Sequence, residues 1–262
     1  AMPFDFAGFN AKMERETGLR ILNLASPGTG PLYQRFVLAG FLERHRAGNL
    51  LYVLDSFAFY TPQWNEERFA DAKLIRRTPL SAATARRLLA YSLHEGVAVS
   101  ALLDFTSGFS KLNNRERFQR DVWEGEAQFD RVQRPSTAAD RKRIATLYPT
   151  ATPAPEAFQR YLRTFATLIE EARAQGLRVV VMKPPVPAAF LGALPGEAAF
   201  DAAVTGLLAA RQVPLHDLSR VDPDPRHYFD TDHLNRSGLT EFFARHLKPI
   251  LTPSPTAGPP RR

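Results

Sequence analysis

Asp230-Thr231-Asp232-His233 is the stretch of this chain best suited to moving a proton. Histidine is the side chain that exchanges a proton near neutral pH. To act as base for a serine hydroxyl it needs a carboxylate that fixes its tautomer and stabilises its charged form. Asp230, three residues upstream in a loop, can fold back onto His233 and supply that carboxylate. The same residues also read, more plainly, as a polar loop capping a helix. A metal held by Asp230, Asp232 and His233 is chemically reasonable, but no second histidine or carboxylate cluster supports it. Neither a metal nor any other cofactor is therefore expected.

Two further segments carry candidate residues. In Asn23-Leu24-Ala25-Ser26-Pro27-Gly28-Thr29-Gly30-Pro31, a glycine at a strand-to-helix turn can offer its backbone N–H without side-chain obstruction, and a helix N-terminus adds positive potential. Gly28 is the candidate donor; a simple β-to-α turn is the alternative. In Leu50-Leu51-Tyr52-Val53-Leu54-Asp55-Ser56-Phe57, Asp55 and Ser56 follow an apolar strand and either line a site or include its nucleophile. His227 is a candidate substrate contact. His216-Asp217 reads as a satisfied strand end, and Lys183-Pro184-Pro185 as a rigid exit from a strand.

These residues need an α/β frame to meet. Residues 7–18 have a helical pattern. Arg20–Leu24 reads as a short strand, Ala25–Gly30 as a turn, and Pro31 opens a helix where its missing N–H costs nothing. That helix carries Leu32, Phe36, Val37 and Phe41 and is expected to stop at Gly48-Asn49. Leu50–Leu54 follows as a buried strand, completing the unit of a parallel sheet. From about 61 to 150 strand signal fades and charge rises, which predicts a helical insertion, with Ser81 as N-cap of Ala82–Ser92. The α/β rhythm resumes with a long helix after Thr152-Pro153-Ala154-Pro155 that ends at Gly176. Then come a strand at Arg178–Met182, a helix near 197–211, a short strand at Val213–Leu218, a loop over 219–235 and a final helix. The loop places Asp230 and His233 at the carboxyl edge of the sheet, where α/β sites gather.

In this frame Phe229, Asp230, Asp232, His233, Leu234, Asn235 and Gly238 resemble, in type and spacing, the last catalytic block of the SGNH (GDSL-like) hydrolases. They most resemble the cell-envelope branch, whose members work on polysaccharide or teichoic-acid esters beside membrane acyltransferases. The resemblance implies a three-layer α/β/α domain over residues 1–251 with a mostly parallel, flavodoxin-like sheet and the insertion at about 61–150. It implies a serine esterase or O-acyltransferase acting on acyl esters of a carbohydrate, with His233 as base and Asp230 as its orienting partner. A membrane acyltransferase is the implied protein partner, and the periplasm or cell envelope the implied location. Asn23–Gly30 is similar to the family's second block, which makes Asn23 and Gly28 oxyanion or binding residues. Asp55 then sits where the family places a polar donor, Ser56 lines the site, and the nucleophile block belongs upstream of Ala1. In a competing reading Asp55-Ser56-Phe57 is a degenerate Gly-Asp-Ser-Leu block and Ser56 is itself the nucleophile. A chain without the nucleophile would be a catalytically silent, glycan-binding or partner-binding member of the fold.

Composition narrows the field further. At 262 residues and 44% hydrophobic content one substantial core can form. The chain has no cysteine, which excludes disulfides, zinc–thiolate sites and thiol catalysis. No tract reaches the ~18 apolar residues of a membrane span, and no secretory signal is visible. Ala1-Met2-Pro3 reads as a cloning scar or an internal start, so any signal or anchor is expected outside this sequence. The net charge of +7 suits a polyanionic setting, but an Arg-, Ala- and Pro-rich composition accounts for it equally. Basic residues of the insertion (Arg115, Arg117, Arg120, Arg131, Arg134, Arg141, Lys142 and Arg143) are interleaved with acids and form no nucleic-acid-binding motif, so nucleic acid is not an expected partner. Residues 252–262 read as a disordered Pro-rich tail.

Overall fold

The computed structural model describes residues 2–70, 78, 80–108 and 124–252. Arg115, Arg117 and Arg120 of the basic run lie outside these residues, as do the last ten residues of the Pro-rich tail. The chain is mixed α/β, predominantly helical, with a small parallel sheet. Its strands are β1 (Asn49–Val53), β2 (Arg178–Lys183) and β3 (Leu215–Asp217), in the order β1-β2-β3. Tyr52 pairs with Val181, and Met182 with His216. β2 is central and buried along almost its whole length, as its unbroken run of valines requires of a parallel strand covered on both faces.

Alternate residues of these strands enter different apolar clusters. Tyr52, Val179 and Val181 pack with α6 (Pro155–Ala174) and α7 (Glu197–Ala209), through Phe165, Ile169, Phe200 and Val204. Leu51, Val53 and Met182 belong with α1 (Phe9–Thr17), α8 (Arg236–Phe242) and the turn of π-helix after it, through Phe9, Met13, Leu239 and Phe243. The sheet is thus covered by helix on both sides. The π turn has a local cause. Pro249 has no N–H to return to a preceding carbonyl, and the chain accommodates it by widening one turn over Phe243–Leu247, where the Lys248 N–H bonds to the Phe243 carbonyl.

The described part of residues 61–150 is helical, without a strand. It includes α3 (Ala82–His94), capped by Ser81 as its sequence predicts, α4 (Val99–Ser107) and α5 (Thr137–Leu147). α3 and α4 pack with α2 (Pro31–Leu42) around Phe36, Phe69, Leu88 and Phe105. α2 ends at Leu42, several residues short of Gly48.

One predicted strand does not form. Arg20–Leu24 joins no ladder. Its polar groups are taken by α1 instead: the Ile21 N–H donates to Glu14 Oε1 at 2.6 Å, and the Ile21 carbonyl accepts from Asn10 Nδ2 at 3.1 Å. A short segment with only three apolar residues becomes a strand only when a neighbour offers matching donors and acceptors, and it pairs with none of the described strands.

α2 has no side-chain cap of its own, because Gly30 occupies the N-cap position. Asn65 supplies the cap from 33 residues away: its Oδ1 accepts from the Leu32 N–H at 3.1 Å. Its amide nitrogen donates to the carbonyls of Ala58 at 2.9 Å and Thr61 at 3.1 Å. Asn65 is fully buried, and a Cβ at Gly30 would lie 2.4 Å from its Oδ1, so the pair is matched. Asn65→Ala removes three hydrogen bonds and strands their buried partners, an expected loss of about 3 kcal/mol. Urea unfolding measures it; a change below ~1 kcal/mol would show that the non-local cap is not needed.

Candidate active site

The loop between β3 and α8 is built to hold a carboxylate against an imidazole. It closes on itself through an antiparallel bridge between Tyr228 and Leu234, with the Phe229 N–H donating to the His233 carbonyl at 3.0 Å. Asn235 anchors its far end. That buried side chain donates to the carbonyls of Arg226 and Arg131 and accepts from the Gly238 N–H, capping α8. Inside the loop, Asp230 Oδ1 accepts from the backbone N–H groups of Asp232 at 3.1 Å and His233 at 2.8 Å. Both Asp230 oxygens then face Nδ1 of His233, at 2.9 and 3.0 Å. A carboxylate only accepts, so Nδ1 carries the proton and proton-transfer chemistry falls to Nε2. The imidazole also stacks on Phe229, 5.7 Å between ring centres and 15° from parallel.

His233 lines a cleft of about 130 Å³ at the carboxyl ends of β1 and β2, together with Asp55, Ser56, Arg143, Tyr148, Lys183, Glu197 and Asp232. His233, Asp230, Asp55 and Ser56 therefore belong to one locality, as their positions in the sequence predict. Asn23 and Gly28 do not line this cleft. Gly28 has φ of +58° at its turn, and a Cβ there would run into the Trp64 ring at 2.6 Å. The Asn23 side chain accepts from the Ala25 N–H and bonds to Asp5. His227 lies outside the cleft as well: its Nδ1 faces Asp222, at 2.9 and 3.0 Å, and its Nε2 is 3.8 Å from Glu241. Asp217 accepts from the N–H and hydroxyl of Ser219, the satisfied strand end its position suggests.

The structure adds residues the sequence does not single out as a set. Ser56 is buried, and its hydroxyl donates to Glu197 Oε2 at 2.5 Å while the Tyr148 hydroxyl, also at 2.5 Å, bonds to Ser56 Oγ. Lys183 holds Glu197 from the other side at 2.6 Å, and Asp201 at the same distance. Lys183 is thus more than a loop exit: it neutralises the carboxylate that binds Ser56. The one clue to this in the sequence is its place at the carboxyl end of a buried strand. Arg143, from α5, forms a two-pronged ion pair with Asp232: Nε to Oδ1 at 2.9 Å and Nη2 to Oδ2 at 2.8 Å. Nothing in its basic run distinguishes Arg143 from its neighbours.

Charge in the cleft is sharply organised. For His233 burial disfavours the imidazolium, yet Asp232 and Asp230 outweigh it and hold its pKa above the ordinary value. For Asp232 burial disfavours the carboxylate, and His233 and Arg143 together hold its pKa below the ordinary value. Asp55 is solvent-exposed at the cleft, yet the protein atoms beside it push its pKa up, with Asp232 and Glu197 adding to the effect and His233 opposing it. Asp230, Asp232 and His233 lie close enough to share a metal. The donor set does not suit one, because Asp230 is engaged by Nδ1 and two backbone N–H groups and both Asp232 oxygens by Arg143. No protein-family model matches this chain, and no curated protein does.

The two opposed shifts define a stability window. Asp232, with its lowered pKa, contributes stability above the unfolded carboxylate pKa near ~4, and loses it as pH falls through the lower folded value. His233, with its raised pKa, contributes fully below the unfolded imidazole pKa near ~6.5, and loses that share as pH rises through the higher folded value. The unfolding temperature is expected to peak between about pH 4 and 6.5 and to fall on the alkaline side. His233→Gln should flatten that alkaline fall. Calorimetry across pH checks it; an identical alkaline slope in the variant would show that His233 is not its source.

Proposed function

We propose that this chain is an SGNH-type α/β/α domain whose Asp230–His233 pair serves acyl-ester chemistry, as an esterase or O-acyltransferase on a cell-envelope carbohydrate. The observation that carries the reading is the pairing of His233 Nδ1 with both Asp230 oxygens in a cleft at the carboxyl ends of parallel strands. This is the arrangement a serine-activating histidine requires. Helices on both faces of the sheet are in keeping with the three-layer form.

In the proposed reaction His233 Nε2 takes the proton of a serine hydroxyl as its oxygen bonds to the ester carbonyl carbon. Asp230 stabilises the imidazolium. The tetrahedral intermediate collapses with cleavage of the ester C–O bond, and the imidazolium returns the proton to the departing sugar oxygen. Water or a second sugar hydroxyl then takes the acyl group from the serine by the reverse sequence, and its proton passes through His233. Asp55, protonated more readily than an ordinary carboxyl group, is placed to hydrogen-bond the substrate.

A second reading has one observation in its favour. The Ser56 hydroxyl is buried and engaged by Glu197 and Tyr148, which suits a catalytically silent protein that binds glycan or a membrane acyltransferase. A fluorophosphonate probe separates the two. Labelling that is lost in both Ser56→Ala and His233→Ala, by at least about a thousandfold in rate, makes Ser56 the nucleophile. Labelling retained in Ser56→Ala assigns another serine. An unlabelled chain that still binds acylated glycan supports the silent protein and overturns the esterase.

A further inference from the structure

We propose that Arg143 is a positioning residue for His233, deciding which of two carboxylates holds its Nδ1 proton. The proposal rests on the reading of His233 as the base of the site. Asp230 and Asp232 both lie beside Nδ1: the Asp230 oxygens at 2.9 and 3.0 Å, and Asp232 Oδ1 at 3.7 Å, beyond hydrogen-bond reach. Asp232 is more buried than Asp230 and carries a full charge, so it is a strong rival for the same proton. Two groups keep it away. Arg143 takes both of its oxygens in a fork that only a guanidinium can make, and the Thr231 hydroxyl donates to Oδ1 at 2.7 Å.

The choice matters because the two partners imply different rings. With Asp230 as partner, the imidazole lies flat on Phe229 and presents Nε2 to the cleft. A switch of the Nδ1–H hydrogen bond from Asp230 to Asp232 would turn the ring off Phe229 and re-aim Nε2. A displacement of about 1 Å at such a group is enough to cost two orders of magnitude in rate. Arg143 is set into α5, whose last residue, Leu147, and its successor Tyr148 form part of the cleft wall. One helix therefore shapes the substrate space and restrains the rival carboxylate. The other charged groups around this cluster are Asp55, at the end of β1, and Asp140, on α5. Neither has a hydrogen bond to Arg143 among the described residues.

The test uses nitrogen-15 and proton spectra of the histidine rings in the whole chain, with His233 assigned by its loss in His233→Gln. In the wild type the neutral ring should carry its proton on Nδ1. Arg143→Gln should move the ring and Nδ1-proton signals to a new position and slow fluorophosphonate labelling roughly 10- to 100-fold. Arg143→Lys keeps the charge without the fork and should show the same displacement; it also serves if the glutamine variant does not fold. Arg143→Gln combined with Asp232→Asn should return the ring signals to the wild-type position, because the rival has lost its charge. Arg143 as mere scaffolding predicts a double variant no closer to wild type than the single one, and that result would overturn the proposal. So would ring signals unmoved in both single variants. If the wild type does not label but the ring moves as expected, the esterase reading falls and the positioning stands. If labelling slows in the variants while the ring stays put, the positioning falls and the esterase reading stands.

Discussion

A carboxylate can orient a histidine only if something else orients the carboxylate. Asp230 meets that condition within four residues: two backbone N–H groups of its own loop fix Oδ1, and the oxygens so fixed face Nδ1 of His233. The loop in turn is held by Asn235, which ties it to the segment before it, to Arg131 and to the first turn of α8. Every later feature of the cleft depends on this short hierarchy. A loop able to slide would leave the imidazole without a defined tautomer, and the ion pairs around it without a common reference.

Around that fixed point two polar chains meet. One runs from Arg143 through Asp232 towards the imidazole; the other runs from Asp201 and Lys183 through Glu197 to Ser56 and Tyr148. Each places a cation behind an acid and the acid beside a group that could react. Partly buried acids are tolerable only when paired in this way, so the cleft is assembled from compensated charges. The consequence for Ser56 is specific. Its hydroxyl proton is held by a carboxylate that Lys183 grips from the other side, so the serine oxygen is tied into an ion pair and turned away from a free role.

The sequence makes the parallel strands, the long amphipathic helix α6 and the Asp230–His233 contact legible, because each rests on local signals: unbroken valines, a helical stripe, a short loop. The three-layer arrangement and the identity of a nucleophile are not legible in the same way. Arg20–Leu24 fails as a strand although its composition is right, because pairing depends on a neighbour, and composition does not report one. Glu197, Tyr148 and Arg143 join the cleft across 141, 92 and 89 residues of chain from the groups they bond, and no motif spacing encodes such meetings. Gly28 has the backbone of a turn glycine, which its neighbours in the chain announce, but they say nothing of its direction relative to the cleft.

The cap that Asn65 places on α2 bears on how the chain reaches its native state. A helix of this length gains little from its own hydrogen bonds in water and is easily lost at its ends. Here the group that secures its first turn arrives only after β1 has been made and the chain has wrapped back past Ala58 and Thr61. The first turn of the helix is therefore secured only once the wrap is in place. Biosynthesis adds a clock to this: a nascent chain that has emerged only as far as Leu42 still lacks the piece that would hold its amino-terminal half in shape.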